Sequence, residues 1–227
     1  MSKKLYLAYG SNMNKGQMKH RCPDATVEGK AVLQDYELVF MGRSESAVAN
    51  ILPAKGETVP VVIWSISERD ERNLDVYEGY PHLYTKETVR VELNGAKIEA
   101  MAYVMTPGHK YGRPAYRYYQ TIAEGYTSFK ISYEYLKQAV NKSDARFHAR
   151  TSIIDERLQM LSEQQVAEYS PVCPRCGKSR MKPKLYTNAL SRRADIYICD
   201  FCGSDEALRD ALGYTDSVAD WFAIKKA

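Results

Sequence analysis

Tyr6-Leu7-Ala8-Tyr9-Gly10-Ser11-Asn12-Met13 is a short apolar run that stops in glycine, serine and asparagine. The run has the residues of a strand, and Gly-Ser-Asn is turn chemistry. A turn of this kind can present successive backbone N–H groups in one direction, which makes an anion-binding nest or an oxyanion hole. The same residues also serve as a plain β-turn into a helix, with Ser11 or Asn12 as N-cap. Spacing alone leaves both readings open and favours the plain turn.

Outward from this stretch, residues 1–110 are dense in short β-type runs, at 4–9, 31–40, 59–65, 85–92 and 98–105. Turn signals separate them at Gly10-Ser11-Asn12, Gly42, Pro53 to Gly56, Asn94-Gly95 and Pro107-Gly108. The 89–100 stretch reads as a hairpin through Asn94-Gly95. Ser67 with Asp70 has the spacing of a capping box and predicts a short helix over 67–76. Residues 115–124 and 132–140 carry apolar residues near helical spacing. From Thr151 the texture changes. Ile154, Leu158 and Leu161 fall at i, i+4 and i+7 and predict an amphipathic helix that ends at Tyr169-Ser170-Pro171. A further acidic helix is expected around 205–212.

A second stretch bears chemistry. In Asn73-Leu74-Asp75-Val76-Tyr77-Glu78-Gly79-Tyr80-Pro81-His82-Leu83-Tyr84, Glu78 sits at the end of a short helix amid Tyr77, Tyr80 and Tyr84. Burial among tyrosines would raise the carboxyl pKa toward the range useful for proton transfer. The plain alternative is a surface glutamate beside a glycine C-cap. A helix C-terminus disfavours a carboxylate, so a glutamate held there is mildly suggestive.

The C-terminal part carries its own signature. Cys173-Pro174-Arg175-Cys176-Gly177 and Cys199-Asp200-Phe201-Cys202-Gly203 are two Cys-x-x-Cys pairs, each followed by glycine. That is the ligand set of a tetrahedral zinc site, with the glycines expected to fold each turn back. Two disulfides or a redox pair are the alternatives. Cys173, Cys176, Cys199 and Cys202 leave only Cys22 over, which reads as an idle buried thiol. Arg175, Lys178, Arg180, Lys182, Lys184, Arg192 and Arg193 outnumber Asp195 and Asp200 within the module, but the tail beyond Gly203 is acidic. Four thiolates on Zn²⁺ leave the whole weakly positive, so a fold staple or a protein contact is favoured over nucleic acid.

Bulk properties exclude more than they assign. The 227 residues suit one sizeable core plus an appendage. A formal charge of +4 is too small to argue nucleic-acid binding by itself. No 18-residue apolar run exists for a membrane span, and the start has too short an apolar stretch for a signal peptide. Cysteines without a secretion signal point to a reducing cytoplasm. His20, His82, His109 and His148 lack metal spacing, and only His82, four after Glu78, is placed to border a site.

The two N-terminal motifs together, Tyr6 to Met13 and Leu74-Asp75-Val76-Tyr77-Glu78-Gly79 with Tyr84 beyond, resemble the gamma-glutamylcyclotransferase-like family. Tyr36-Glu37-Leu38-Val39-Phe40, Ala49-Asn50-Ile51-Leu52-Pro53 and Val61-Val62-Ile63-Trp64 follow the family's order, as do Pro114, Tyr118 and Gly125. The resemblance spans about residues 4–140 of this sequence. It implies an α+β fold: a small mixed β-barrel with flanking helices, here extended by the zinc ribbon. The expected divisions are 1–150 for the cyclotransferase-like domain, 151–170 for a linking helix and 171–227 for the ribbon with its helical tail. The implied activity is cleavage of a gamma-glutamyl amide by the substrate's own α-amino group, giving 5-oxoproline and a free amine or amino acid. Glu78 would be catalytic, and Tyr9, Gly10, Ser11, Asn12, Met13, Tyr84 and Tyr118 would bind substrate. Zinc would be structural and no cofactor would serve catalysis. Two departures, Val61 after Pro60 and Ala115 after Pro114, fall outside both motifs. The competing class is a non-catalytic adaptor that keeps the fold and docks a protein or nucleic acid through the ribbon. Glu78 standing with the 10–12 turn favours the enzyme.

Overall fold

In the computed structural model, which describes residues 3–43 and 45–225, the apolar runs of the N-terminal half pair into one closed barrel. Its strands are β1 (Lys4–Ala8), β2 (Thr26–Met41), β3 (Val48–Ile66), β4 (Tyr84–Leu93) and β5 (Ala96–Met105), ordered β1-β3-β2-β4-β5. All neighbours are antiparallel except β1 and β5, which meet in parallel through Tyr6 and Met101. The barrel is therefore mixed, as expected. Along β4, Val89 and Val91 point inward while Arg90 and Glu92 face water, the period-two pattern of a half-buried strand. Residues 59–66 of β3 are buried throughout, because the barrel lies on one side and helices cover the other. Asn94 and Gly95 both take positive φ, the requirement of the two-residue turn that links β4 to β5.

Four helices flank the strands. They are α1 (Lys15–Arg21), α2 (Glu68–Glu78), α3 (Tyr116–Ser128) and α4 (Tyr133–Ala167). The Ser67 capping box is present: Ser67 Oγ accepts from Asp70 N–H and Asp70 Oδ2 accepts from Ser67 N–H, each at 3.2 Å. Helix α2 runs to Glu78, two residues past the expected end, and stops at Gly79 in the left-handed conformation. Gly125 of α3 is needed for close approach. A Cβ there would lie 2.9 Å from the Met13 carbonyl carbon and 3.0 Å from Asn14 N, so the bare glycine lets α3 press on the turn after β1.

Three expectations need correction. The Pro53–Gly56 turn signal does not end a strand. Instead β3 continues past it, with residues 54–57 bulging opposite Asp35 and Gly56 N–H donating to Asp35 Oδ1 at 2.8 Å. The two helices expected at 132–140 and around 154–161 are one 35-residue helix. The N-cap after the first turn is Asn14, not Ser11 or Asn12; its Oδ1 accepts from Gly16 and Gln17.

The chain divides into two compact units, Met1–Phe147 and His148–Ala227, so α4 belongs to both. The second has its own core of Met181, Ile196, Ile198, Trp221 and Ile224 around three of the cysteines. Ile154, Leu158 and Leu161, the predicted apolar stripe, pack against it. A two-stranded ribbon, β6 (Ala189–Leu190) with β7 (Tyr197–Ile198), leads into α5 (Asp200–Ala211), and α6 (Phe222–Lys225) follows. Among the described residues no helix is long and apolar enough to cross a membrane.

Candidate active site and cysteine cluster

At the end of β1 the chain enters a single 3₁₀ turn, Ser11–Met13. The leading N–H groups of such a turn have no acceptor inside it, so those of Ser11 and Asn12 are left for another partner. Ser11 and Asn12 border a hollow of about 200 Å³ in the first unit, together with Tyr9 and Gly10. The last turn of α2 brings Tyr77 and Glu78 to the same hollow, and Tyr84, Tyr103 and Tyr118 supply aromatic walls from β4, β5 and α3. The two N-terminal motifs, 66 positions apart at Asn12 and Glu78, thus meet side by side.

The contact between them is direct. Asn12 Nδ2 donates to Glu78 Oε1 and to Tyr6 Oη, both at 2.8 Å. Burial pushes the Glu78 carboxyl up from its ordinary 4.5 to about 7; the Arg21 charge and the Asn12 hydrogen bond pull the other way and lose. A carboxyl group balanced near neutrality can both take and give a proton. The surrounding phenols do not share that range. Burial raises Tyr6, Tyr9, Tyr84 and Tyr118 well above their ordinary value, so they stay neutral.

The tyrosines are also partly committed. Tyr84 Oη donates to Ala49 O at 2.8 Å, Tyr118 Oη accepts from Ala49 N–H at 3.1 Å, and Tyr9 Oη donates to Tyr103 O at 2.5 Å. Their rings are what they offer the hollow. Of the residues expected to bind substrate, Tyr9, Gly10, Ser11, Asn12, Tyr84 and Tyr118 line it, whereas Met13 is fully buried in the core. His82 and Tyr80 are not among the lining residues; Tyr80 is exposed under the Lys86 ammonium. Sequence reading missed Arg21, which donates to Asn12 Oδ1 at 2.5 Å. The available signal was a basic residue in the last turn of a short helix whose cap, Asn14, was overlooked.

The family model "Gamma-glutamyl cyclotransferase, AIG2-like" matches residues 6–126, more than half of the chain. The chain belongs to this family. It is 30 % identical over 141 residues to the gamma-glutamylcyclotransferase of Homo sapiens, covering 58 % of this chain and 74 % of that protein. A solved gamma-glutamyl cyclotransferase superposes with a TM-score of 0.55 at 27 % identity, over 61 % of this chain and 86 % of the other. YkqA of Bacillus subtilis, at 23 % identity and a TM-score of 0.54 over 64 % of this chain and 56 % of its own, shares the fold. The cyclotransferase relatives are named as enzymes, and cyclotransferase-type function follows for this chain.

In the second unit, the sulfurs of Cys173, Cys176, Cys199 and Cys202 all lie within 4.8 Å of one another. The Cys173–Cys202 and Cys176–Cys199 pairs are each 4.0 Å apart. A tetrahedral Zn–S bond of about 2.3 Å sets a sulfur–sulfur edge of about 3.8 Å, so the set fits one tetrahedral metal ion. At the first turn, Gly177 takes φ 72° and its N–H returns to Cys173 O at 2.8 Å. The second turn is built otherwise. Cys199 stands at the N-cap position of α5 and Cys202 lies in its first turn. Gly203 is simply helical; a Cβ on it would stand 2.4 Å from Ala189 Cβ. Cys199 N–H points at Cys173 Sγ from 3.4 Å.

Part of the basic surplus is consumed within the second unit. Arg175 pairs with Asp205 and Asp216, Arg193 with Asp210 and Asp216, and Lys182 with Asp200. A second hollow, about 880 Å³, lies in this unit between Tyr169, Pro171, Pro183, Tyr186 and Phe222. It is larger than the Glu78 hollow, but its walls are mainly apolar. The 10–12 turn and the Glu78 carboxyl of raised pKa both border the smaller one.

Proposed function

We propose that the first unit is a γ-glutamyl cyclotransferase acting on a γ-glutamyl amide, with Glu78 as its proton shuttle. The observation that carries this reading is the part-buried Glu78 carboxyl, shifted to about 7 and held by Asn12 beside the 10–12 turn. The substrate supplies its own nucleophile, so the protein has three tasks. It must hold the α-amine against the γ-carbonyl, move a proton, and receive an oxyanion. Glu78 carboxylate takes a proton from the α-ammonium. The amine then attacks the γ-carbon, and the developing oxyanion is received by N–H groups of Ser11 and Asn12, worth ~3 kcal/mol per well-aimed donor. Protonated Glu78 gives its proton to the leaving nitrogen, and the carboxylate so regained takes the second proton from the former α-nitrogen and passes it on to the departing amine, which leaves as an ammonium. The γ-C–N bond breaks, 5-oxoproline and the amine or amino acid leave, and the carboxylate is restored.

The second unit is proposed to hold one structural Zn²⁺ on Cys173, Cys176, Cys199 and Cys202. Four thiolates leave no open position for substrate, and the ion would fix the ribbon. Internal pairing of Arg175, Arg193 and Lys182 favours a fold staple or a protein contact over phosphate binding. Free thiols of this kind suit a reducing compartment, and we place the protein in the cytoplasm.

The test is a panel of γ-glutamyl amino acids, peptides and alkylamines, with 5-oxoproline as readout. The active form of Glu78 before attack is the carboxylate. Below about pH 7 the group is protonated and kcat should fall about tenfold per pH unit; above pH 7 this limb should flatten. A kcat independent of pH from 5 to 7 would rule Glu78 out as the base, and no 5-oxoproline from any member would reject the function.

A further inference from the structure

We infer that Arg21 is a positioning residue that orients the Glu78 carboxylate through the side-chain amide of Asn12; the inference rests on the cyclotransferase reading above. Arg21 is the last residue of α1. One guanidinium nitrogen, Nη1, donates to Asn12 Oδ1 at 2.5 Å and to Ser11 Oγ at 3.2 Å. The other, Nη2, donates to Gln17 Oε1 at 2.5 Å and to Tyr77 Oη at 2.6 Å. The guanidinium carbon sits 3.5 Å from the centre of the Tyr77 ring, a stacked cation–π contact. Arg21 is thereby fixed from its own helix, from the 3₁₀ turn and from the residue next to Glu78.

The consequence lies in the chemistry of an amide. Asn has an acceptor end and a donor end of nearly the same shape, and arginine offers donors only. With Arg21 on its oxygen, Asn12 must turn its NH₂ toward Glu78 and Tyr6, where it donates at 2.8 Å to each. The reversed amide would set oxygen against carboxylate and aim the NH₂ at a cation. Arg21 forbids it. The arginine therefore settles which end of Asn12 meets the shuttle, and which carboxylate oxygen is left for substrate.

Its charge matters too. The titratable groups coupled to Glu78 are Tyr6 from β1, Tyr9 after it, Tyr84 from β4, Tyr103 from β5, Tyr118 from α3 and Cys22 after α1. Burial keeps the phenols protonated well beyond neutrality and pushes the Cys22 thiol up to about 12. None carries charge near pH 7, and Arg21 is the charge that opposes the burial of Glu78. Removing it should leave the carboxyl harder to ionise and free to rotate.

The experiment compares wild type with Arg21→Met, Arg21→Gln and Arg21→Lys. Glu78 is titrated by ¹³C-carboxyl NMR, with Glu78→Gln to assign its signal, and kcat and KM are measured from pH 5 to 9. Arg21→Met should raise the Glu78 midpoint by a pH unit or more. It should cut kcat at pH 6 at least tenfold, partly recover at pH 9, and change KM less than threefold. Arg21→Gln, which is neutral but still polar, should behave alike and carries the test should the methionine variant not fold. Arg21→Lys restores the charge without the fork, and its midpoint should lie closer to wild type. A folded neutral variant whose Glu78 midpoint and acid limb stay at the wild-type position overturns the inference. The titration needs no substrate, so a wild type inert on every γ-glutamyl amide would reject the function while the midpoint still judges Arg21.

Discussion

Glu78→Gln should remove cyclisation and at the same time make the first unit harder to unfold. Glutamine keeps the shape and still accepts from Asn12 Nδ2, so the hollow should persist while the proton shuttle is gone. A loss of ~10²-fold or more in kcat is expected. The stability gain follows from linkage. Glu78 titrates at about 7 when folded against an ordinary 4.5. Below pH 4.5 both states hold the proton and the group costs nothing. Between 4.5 and 7 the unfolded chain releases it first, so stability falls across this window and stays reduced above it. The cost at pH 8 is on the order of 3 kcal/mol at most, and glutamine escapes it. Thermal melts at pH 8 should place the variant above wild type, with the difference closing at pH 4. Wild-type turnover by the glutamine variant would sink the shuttle. A variant less stable at pH 8 would contradict the part-buried, reluctantly ionised carboxyl.

Stripping the metal, or Cys176→Ser, should unfold the second unit and leave the barrel standing. Among the described residues, buried cysteines form part of the second unit's small core, beside Met181, Ile196, Ile198, Trp221 and Ile224, with Ile154, Leu158 and Leu161 partly buried against it. So few apolar side chains do not hold a module of this size without a staple. Structural zinc in such modules contributes ~10–16 kcal/mol of apparent binding free energy, which is also folding free energy. The barrel has a separate core of more than thirty buried apolar residues, Leu7, Phe40, Ile63 and Tyr126 among them. Elemental analysis should return about one zinc per chain, since four ligands close one tetrahedron. In chelator, hydrogen exchange should accelerate across β6, β7 and α5, while β1–β5 stay protected and 5-oxoproline release continues. A metal-free protein with a fully protected ribbon would refute the zinc assignment. Lost activity with an intact barrel would mean the second unit takes part in the site.

Much of this was legible where a local rule applied. The Ser67–Asp70 box, the Asn94-Gly95 turn and the two cysteine pairs are short-range devices, and each appears where its residues stand. Glu78 was legible because a carboxylate at a helix end invites a reason. The continuity of α4 is hidden in the sequence by a change in apolar spacing at Thr151. No glycine or proline occurs from 126 to 170, so nothing in the backbone stops the helix. Ser143, polar in the sequence, is fully buried, with its hydroxyl donating to Ala139 O and accepting from Phe40 N–H. The register of β3 past Pro53 and the grip of Arg21 on Asn12 depend on partners distant in sequence, which periodicity does not reveal.

The closed order of the barrel also determines when the site comes into being. The β2–β3 and β4–β5 ladders join neighbours in the chain and can zip from their own turns. Strand β1 cannot. It must find Ile66 to Val62 on β3 and Met101 on β5. Contacts of such long sequence separation carry the loop-closure entropy that slows folding. The 10–12 turn hangs from β1, Glu78 from a helix between the hairpins, and Tyr118 from beyond them. A nascent chain therefore carries no complete hollow: the Glu78 carboxyl gains its Asn12 partner when the first strand is stitched in. Activity in this fold should thus appear late and all at once during refolding, reporting completion of the barrel rather than its progress.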